Sequence, residues 1–173
     1  AGCAVWDADA AVHRLYGAGG AAVAPIAAQF PMAIVDGAVS RDRLKQLIAQ
    51  DPGVLTQIEA IVHPLVAQDR AKFSAMASAD ILVFDIPLLF ETGGDADMQA
   101  TVTVYIDAET QKRRVLERGS MTAAQFEAIR AKQMPIEQKR ARADYEIETD
   151  TLDHARQQVQ QILAEIRKGL NDA

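Results

Sequence analysis

The sequence predicts an α/β fold in which helices cover both faces of a doubly wound, mainly parallel sheet. Two β-branched apolar runs, residues 80–84 and 101–106, lack clean alternation with polar residues, which is typical of strands buried on both faces. Helical segments lie between and after these runs, and strands that alternate with helices favour parallel pairing. Ligands of such sheets bind beyond the carboxyl ends of the strands, so residues that follow each strand are candidates for function.

Composition narrows the class of protein. With 173 residues, the chain is expected to fold as one compact unit with a core large enough for an enzyme. Its formal charge of −6 argues against general binding of nucleic acid or anionic membranes, since both need an excess of basic residues. The single cysteine, Cys3, permits no internal disulfide, and no apolar run approaches the roughly 20 residues that span a bilayer. We expect a cytoplasmic protein that is a monomer or a weak homo-oligomer.

The first part of the chain is predicted to be a short buried strand followed by helices. The strand covers residues 4–6 and runs directly into Asp7 and Asp9. The elements predicted after it are a helix over 10–16 ended by glycines in 17–20, a helix over about 21–30, a turn with Pro31, Asp36 and Gly37, and helical structure from Ser40. Asp7 and Asp9 therefore follow the carboxyl end of a strand.

A core-facing helix is predicted to begin at Asp51 and Pro52, because aspartate caps free N–H groups and proline tolerates the first helical position. Its apolar stripe consists of Leu55, Ile58, Ile61, Val62, Leu65 and Val66. Pro64 removes a backbone donor and is predicted to bend the helix beside His63. His63 is either a hydrogen-bonded core residue or a functional one, and the sequence leaves both interpretations open.

The last part of the chain carries much of the basic charge. Half of the 18 Lys and Arg residues lie between Lys112 and Arg142, beginning on a basic helix predicted over 111–118. Thr122 and Gln125 form a capping box that begins another helix. The final helix is predicted to begin at about Leu152 and to pack on the outer face of the sheet. Its apolar residues at helical spacing are Val159, Ile162, Leu163, Ile166 and Leu170.

The carboxylates and the basic cluster each have two interpretations. Asp7 and Asp9 suit metal-assisted phosphoryl chemistry, because a carboxylate can hold Mg²⁺ or accept the proton of an attacking hydroxyl. Alternatively, one of them caps the next helix and the other is solvated. Asp85 follows a second predicted strand, so three carboxylates are expected on one rim. The basic cluster is either a solvated helix face or, as we favour, a closing lid that neutralises charge on a transferring phosphoryl group.

Several short stretches share their order and spacing with one known family. They are Asp7-Ala8-Asp9 with His13 to Tyr16, Phe30 with Asp36-Gly37, Arg41-x-x-Leu44, Glu59 with His63-Pro64, Pro87-Leu88-Leu89-Phe90-Glu91, Gln111-x-x-Arg114-x-x-x-Arg118, Gln133, and Arg142-Ala143-Asp144-Tyr145. Together they resemble the dephospho-CoA kinase family, and the resemblance covers the whole chain. The His-Pro pair and the Pro-Leu-Leu-Phe-Glu run are its most specific parts.

The resemblance implies a three-layer, P-loop NTPase-like parallel sheet with helices on both faces. It also implies a helical insertion that binds the acceptor and a helical lid. The corresponding division is core over 1–25, a CoA-binding insertion over 26–77, core over 78–110, a basic lid over 111–144, and core with the C-terminal helix over 145–173.

The resemblance further implies transfer of the ATP γ-phosphate to the 3′-hydroxyl of dephospho-CoA, with Mg²⁺. Asp9 matches the carboxylate proposed as general base, with Asp7 beside it, and Asp7 and Asp85 are candidate metal residues acting through bound water. Arg114 and Arg118 match lid arginines that approach the phosphates. Arg140 and Arg142 are further ATP or lid candidates, and the acceptor-binding candidates are Phe30, Arg41, His63, Leu88, Leu89 and Glu91.

The sequence departs from the family pattern in three places. The family carries a strand and a G-x-x-x-x-G-K-[ST] loop upstream of the stretch that matches Ala1, and none of the ten glycines here precedes a lysine. We therefore expect the natural protein to be longer by one strand-loop-helix unit, and the printed chain alone to be inactive. Pro31 stands where the family commonly has glycine, and Thr149 where many members have asparagine, which leaves the adenine contact open.

Two rival functions remain open at this point. A haloacid-dehalogenase-type phosphatase would use Asp7 as nucleophile and Asp9 as acid/base. The phosphatase pattern matches this sequence less well, because it requires threonine or valine at the position of Ala11. A non-catalytic CoA-binding or regulatory module without an ATP loop is the other alternative.

Overall fold

The computed structural model of the protein describes residues 2–171, with side chains as far as Leu170. The chain forms two compact units, one ending at Pro87 (unit 1) and one beginning at Leu88 (unit 2). The single unit predicted from length is therefore wrong, since length gives only a soft prior on the number of units. None of the helices described between residues 2 and 171 combines the length and apolarity that crossing a bilayer requires.

Within residues 2–171 the structure forms six strands and eight α-helices, which confirms the α/β class. The strands are β1 Ala4–Asp7, β2 Ile34–Val35, β3 Ala38–Val39, β4 Leu82–Asp85, β5 Val102–Tyr105 and β6 Tyr145–Glu148. The helices are α1 Ala8–Tyr16, α2 Val23–Gln29, α3 Arg41–Gln50, α4 Gly53–Met76, α5 Ala108–Glu117, α6 Ala123–Arg130, α7 Ile136–Arg142 and α8 Leu152–Asn171. Within the described residues, β1 pairs with β4 and β5 with β6, both in parallel.

The β1–β4 pair of unit 1 is buried on one face only. Trp6 is 3% exposed, and its ring meets Phe84 edge to face at a centroid distance of 6.2 Å. Val5 and Val83 are register partners on the opposite face, and they are 62% and 39% exposed. The expectation of strands buried on both faces is therefore wrong here, because β-branched residues report strand propensity as much as burial.

The core of unit 1 is built by α1 to α4. Ile26 of α2 is fully buried and packs in one cluster with Leu44 of α3 and Ile58 of α4. Ile58 and Val62 are buried in the core and Ile61, Leu65 and Val66 pack against it, so the predicted apolar stripe of α4 is confirmed except at Leu55. Leu55, predicted to face the core, is 44% exposed. The helix runs continuously through Pro64.

The strands β2 and β3 form a β-hairpin with a two-residue loop, which was not predicted from the sequence. Ile34 pairs with Val39 and Val35 with Ala38, and the loop residues Asp36 and Gly37 have φ of 50° and 75°. Positive φ at both loop positions is the geometry of a type I′ turn, which Asp-Gly sequences favour. The predicted turn at these residues is confirmed, and short strands flank it.

A polar network fastens β1 to the helices of unit 1. The indole Nε1–H of Trp6 and Nη2 of Arg14 both donate to Asp69 Oδ1 at 2.7 Å. Burial by itself would raise the pKa of Asp69, but the hydrogen bonds from Trp6 and Arg14 and the nearby cations outweigh it and lower that pKa. The network joins β1, α1 and α4 through one carboxylate.

Replacing Asp69 with alanine is expected to destabilise unit 1 by about 1–3 kcal/mol, because it leaves the buried Trp6 N–H without an acceptor. Trp6 is the only tryptophan in the chain, so its fluorescence during urea unfolding reports on this unit. Asp42→Ala is the matched control, since the Asp42 side chain is 87% exposed and its pair with Lys45 spans 3.5 Å. Equal unfolding midpoints for the two variants would contradict the assigned role of Asp69.

In unit 2, hydrogen bonds between Thr101 and Asp144 fix the start of the β5–β6 pair. The Thr101 N–H and hydroxyl both donate to Asp144 Oδ2 at 2.8 Å, and the Asp144 N–H donates to the Thr101 hydroxyl at 3.1 Å. The strand β6 and the helix α7 were not predicted from the sequence. The predicted final helix is confirmed as α8, which packs on β6 with Leu163 buried.

Candidate active site

Two of the predicted carboxylates lie side by side at the carboxyl edge of the unit 1 strands. Asp7 ends β1, Asp85 ends β4, and they are register partners in the parallel ladder. Neighbouring strands lie about 4.8 Å apart, so the two exposed side chains share one edge. Asp7 also caps α1, because its Oδ1 accepts the Ala10 N–H at 2.9 Å. The capping interpretation therefore holds for Asp7.

Asp9 lies in the first turn of α1, two residues beyond this edge. Its side chain is exposed, and no hydrogen bond or ion pair engages its carboxylate within residues 2–171. An unengaged carboxylate can accept a proton from a ligand hydroxyl without first breaking a protein contact. Of the two aspartates around the start of α1, Asp9 therefore suits the role of general base better than the capping residue Asp7.

The acceptor candidates Phe30 and Arg41 both adjoin the core of unit 1. Phe30 ends α2 and is partly buried against the core cluster. Arg41 begins α3, and its guanidinium carbon lies 6.0 Å from the centroid of the Tyr16 ring. Burial raises the pKa of the Tyr16 hydroxyl, although the nearby charge of Arg41 acts in the opposite direction. Arg41 itself is exposed and presents a cation to solvent.

His63 lies on the solvent side of α4. Its neighbour Val62 is 7% exposed and belongs to the core, whereas His63 is exposed and has no hydrogen-bond partner within the described residues. The interpretation of His63 as a hydrogen-bonded core histidine is therefore wrong. The prediction that it binds a ligand remains a prediction.

The three acceptor-binding candidates that follow β4 differ in whether their side chains are exposed or already held by other residues. Leu88 is 43% exposed and Leu89 is half-buried. The Glu91 carboxylate is already engaged, since its Oε1 accepts the Met134 N–H at 2.9 Å and lies 2.7 Å from Lys139 Nζ. Glu91 is therefore held by residues of its own unit.

The two lid arginines of α5 also differ. Arg114 donates from Nη1 to the carbonyl of Thr149 at 2.6 Å and from Nη2 to the carbonyl of Asp150 at 2.9 Å. Arg118 caps the end of α5, is exposed, and has no side-chain partner in the described part of the chain. Arg114 thus holds the loop that follows β6, while the prediction that Arg118 approaches a phosphate remains a prediction.

Both arginines of α7 are paired with acidic residues. Arg140 Nε and Nη2 each lie 2.7 Å from Glu146 Oε2, and its guanidinium carbon lies 4.0 Å from the Tyr105 ring centroid. The hydrogen bond and charge of Glu146 raise the pKa of Arg140. Arg142 donates to a carboxylate oxygen of Asp95.

The structure therefore describes two sets of candidates, each within its own unit. The carboxylates Asp7, Asp9 and Asp85 gather at one strand edge of unit 1. The arginines lie on α5 and α7 of unit 2, and their predicted approach to the carboxylates remains a prediction. Carboxylate oxygens such as those of Asp7 and Asp85 are ligands that Mg²⁺ prefers. Within the described residues, however, Asp7, Asp9 and Asp85 do not all bring their oxygens within 4.8 Å of one another.

Sequence reasoning missed the partners that hold the arginines and Glu91. These partners are Asp95, Tyr105, Lys139 and Glu146. Lys139 alone carried a signal, since it stands in the basic stretch that the sequence analysis singled out. The acidic partners are distant in sequence or belong to the unpredicted strand β6, so no local pattern marked them.

The sequence of this chain was compared with protein families and with curated proteins. The family model for dephospho-CoA kinase matches residues 1–154. A dephospho-CoA kinase of Ruegeria pomeroyi is 68% identical over 168 residues, which cover 97% of this chain and 85% of that protein. A dephospho-CoA kinase of Cereibacter sphaeroides is 54% identical over 167 residues, covering 96% of this chain and 85% of that protein.

Solved structures agree at the level of the fold. The Thermus thermophilus protein TT1252 superposes with a TM-score of 0.82 at 32% identity, covering 95% of this chain and 85% of its own. A dephospho-CoA kinase from Campylobacter jejuni superposes with a TM-score of 0.66 at 20% identity, covering 97% and 87%, and this likeness concerns the fold alone. Because the family model spans most of the chain and the Ruegeria protein is 68% identical along it, this chain belongs to the dephospho-CoA kinase family.

Proposed function

We propose that the protein transfers the γ-phosphoryl group of ATP to the 3′-hydroxyl of dephospho-CoA, the last step of coenzyme A synthesis. The observation that carries this proposal is the family match over residues 1–154. The carboxylate of Asp9 and the guanidinium of Arg118, neither of which is engaged by another residue in the described part of the chain, support it, because phosphoryl transfer depends on positioning and charge neutralisation.

Asp9 is proposed as the general base. The acceptor 3′-oxygen forms a bond to the γ-phosphorus, while the bond between that phosphorus and the β,γ-bridging oxygen breaks and ADP leaves. The hydroxyl proton passes to the Asp9 carboxylate, which no other residue engages within residues 2–171. Asp7 is less suited to this step, because its Oδ1 already accepts the Ala10 N–H.

Mg²⁺ is proposed to accompany ATP. Asp7 and Asp85 would hold the ion through bound water, because they are paired at one strand edge and supply the oxygen ligands that it prefers. When bound, the ion neutralises negative charge on the phosphate oxygens.

The remaining candidates divide into anion-binding and acceptor-binding residues. Arg118 is proposed to approach the phosphates directly, and Arg140 is a second candidate. Arg114 is proposed to act by holding the loop at Thr149 and Asp150, since both its Nη groups donate to carbonyls there. Phe30, Arg41, His63, Leu88 and Leu89 are proposed to contact dephospho-CoA.

The proposal is tested by incubating the complete gene product with ATP, Mg²⁺ and dephospho-CoA, and measuring ADP and CoA by chromatography. Equal amounts of ADP and CoA are expected. CoA replaces dephospho-CoA in the matched control, because its 3′-oxygen already carries phosphate and cannot accept another phosphoryl group.

Two results would reject the kinase assignment. Release of inorganic phosphate from CoA would identify a phosphatase. Calorimetric binding of dephospho-CoA with neither ATP binding nor turnover would identify a non-catalytic module.

A further inference from the structure

Glu91 contacts both Lys139 of α7 and the segment before α7, and the function proposed above does not explain these contacts. Its side chain is 16% exposed and faces Lys139, whose side chain is 15% exposed, at 2.7 Å. Among the ion pairs identified within the described residues, this is the only one in which neither side chain is more than 16% exposed. A buried pair of this kind costs desolvation, so it is weak support for a role in stability alone.

The same carboxylate also holds the segment between α6 and α7. Glu91 Oε1 accepts the backbone N–H of Met134, which lies in the short linker that joins these helices. Burial alone would raise the pKa of Glu91, but the hydrogen bonds from Lys139 and Met134 outweigh it and lower that pKa. One charged group thus fastens both the linker and the helix that follows it.

The helix α7 is attached along its whole basic side. Lys139 pairs with Glu91, and Arg140 lies between Glu146 and the Tyr105 ring. Arg142 binds Asp95 and the carbonyl of Phe90. The helix is therefore docked on other residues of unit 2, and the linker at Met134 is where the docked part begins. The predicted closure of a basic lid over 111–144 remains a prediction.

We propose that Glu91 is a positioning residue for phosphoryl transfer: its carboxylate fixes the linker before α7 and thereby places the cationic helix that carries Arg140. This inference rests on the proposed kinase function and replaces the expected role of Glu91 as an acceptor contact. The Oε1 atom of Glu91 is already taken by Lys139 and Met134, so it is not available to a pantetheine or nucleotide. The remaining oxygen of Glu91, Oε2, is buried and has no partner among the described residues.

The experiment compares Glu91→Gln, Lys139→Met and the double variant in the complete gene product. Each single variant is expected to lower kcat about 10-fold with both KM values changed less than about 2-fold, because a displacement of about 1 Å in a positioned group costs up to 100-fold in rate. The double variant is expected to be no slower than either single one, since both changes remove the same pair. Lys139→Arg keeps the pair and is expected to restore most of the rate.

A second readout does not depend on catalysis. In Glu91→Ala, amide hydrogen exchange at Met134 is expected to speed up at least 10-fold without substrate present, since the acceptor of that N–H is gone. Arg156→Met is the matched control, because it removes an exposed pair with Asp153 on α8 and should change neither readout.

The outcomes separate the alternatives. A raised KM for dephospho-CoA with unchanged kcat and unchanged Met134 exchange would make Glu91 an acceptor contact and overturn the inference. Additive losses in the double variant would also overturn it. If the wild type transfers no phosphate, the proposed function fails on that assay, while Met134 exchange still decides whether Glu91 fixes the linker.

Discussion

Replacing Asp9 with asparagine in the complete gene product is expected to lower kcat by about 100-fold or more, the range for loss of a general base. The change keeps the shape of the side chain and removes its capacity to take the 3′-hydroxyl proton. KM for ATP and for dephospho-CoA should change little, because Asp9 is assigned to the proton rather than to substrate binding. Steady-state assays of CoA formation provide the measurement.

Asp153→Asn is the matched control for Asp9. Asp153 also lies in the first turn of a helix, α8, and its side chain is 89% exposed. It should retain the wild-type rate, which excludes a general effect of removing a first-turn charge. Unchanged turnover in Asp9→Asn would remove Asp9 from the role of base and transfer the question to Asp7 and Asp85.

The largest expected effect on stability comes from Ile26. This side chain is fully buried in the unit 1 core, in one cluster with residues of α1, α3 and α4. Ile26→Ala is expected to cost about 2–5 kcal/mol in the free energy of unfolding, since it removes buried methyl groups and leaves a cavity. Because the fully buried residue anchors the helices that carry Phe30, Arg41 and His63, acceptor binding should weaken in parallel.

Denaturant unfolding followed by Trp6 fluorescence measures this effect in the unit that contains Ile26. The reporter is needed because a chain of two units need not unfold in a single transition. Met32→Ala is the control, as Met32 follows α2 and is 70% exposed. A loss below about 1 kcal/mol in Ile26→Ala would mean that the core closes over the missing atoms.

The candidate carboxylates could be predicted because their placement follows from a general rule. The carboxyl ends of parallel strands meet at one edge, so aspartates that follow two strands become neighbours. Asp7 and Asp85 follow that rule as register partners. Which of the two aspartates near α1 is engaged could not be predicted, because it depends on whether Asp7 Oδ1 turns toward the Ala10 N–H.

Short strands were the main failure of sequence reasoning. The strand β6 has only four residues, and two of them, Glu146 and Glu148, are acidic, so neither length nor hydrophobicity marked it. The hairpin of β2 and β3 has two-residue strands, yet Asp36-Gly37 was a usable signal, because this pair favours type I′ turns. Strands of this size depend on pairing partners rather than on their own propensity.

The ion pairs of α7 could not be predicted for a different reason. Glu91 and Lys139 are separated by 48 positions in the sequence, and no periodic pattern relates them. The basic composition of residues 112–142 predicted a group of cations, but composition does not indicate whether these cations are free or paired. Pairing depends on tertiary packing, so the docked state of α7 became visible only in the structure.

Threonine side chains finish both ends of the β5–β6 ladder. At one end Thr101 and Asp144 exchange hydrogen bonds, and at the other the Thr149 N–H and hydroxyl both donate to the carbonyl of Tyr105. Such side chains do for this ribbon what capping residues do for a helix, since they satisfy the terminal groups that would otherwise fray. A ladder of four residues can therefore keep a single pairing register. The elements that follow β5 and β6 then begin at fixed positions.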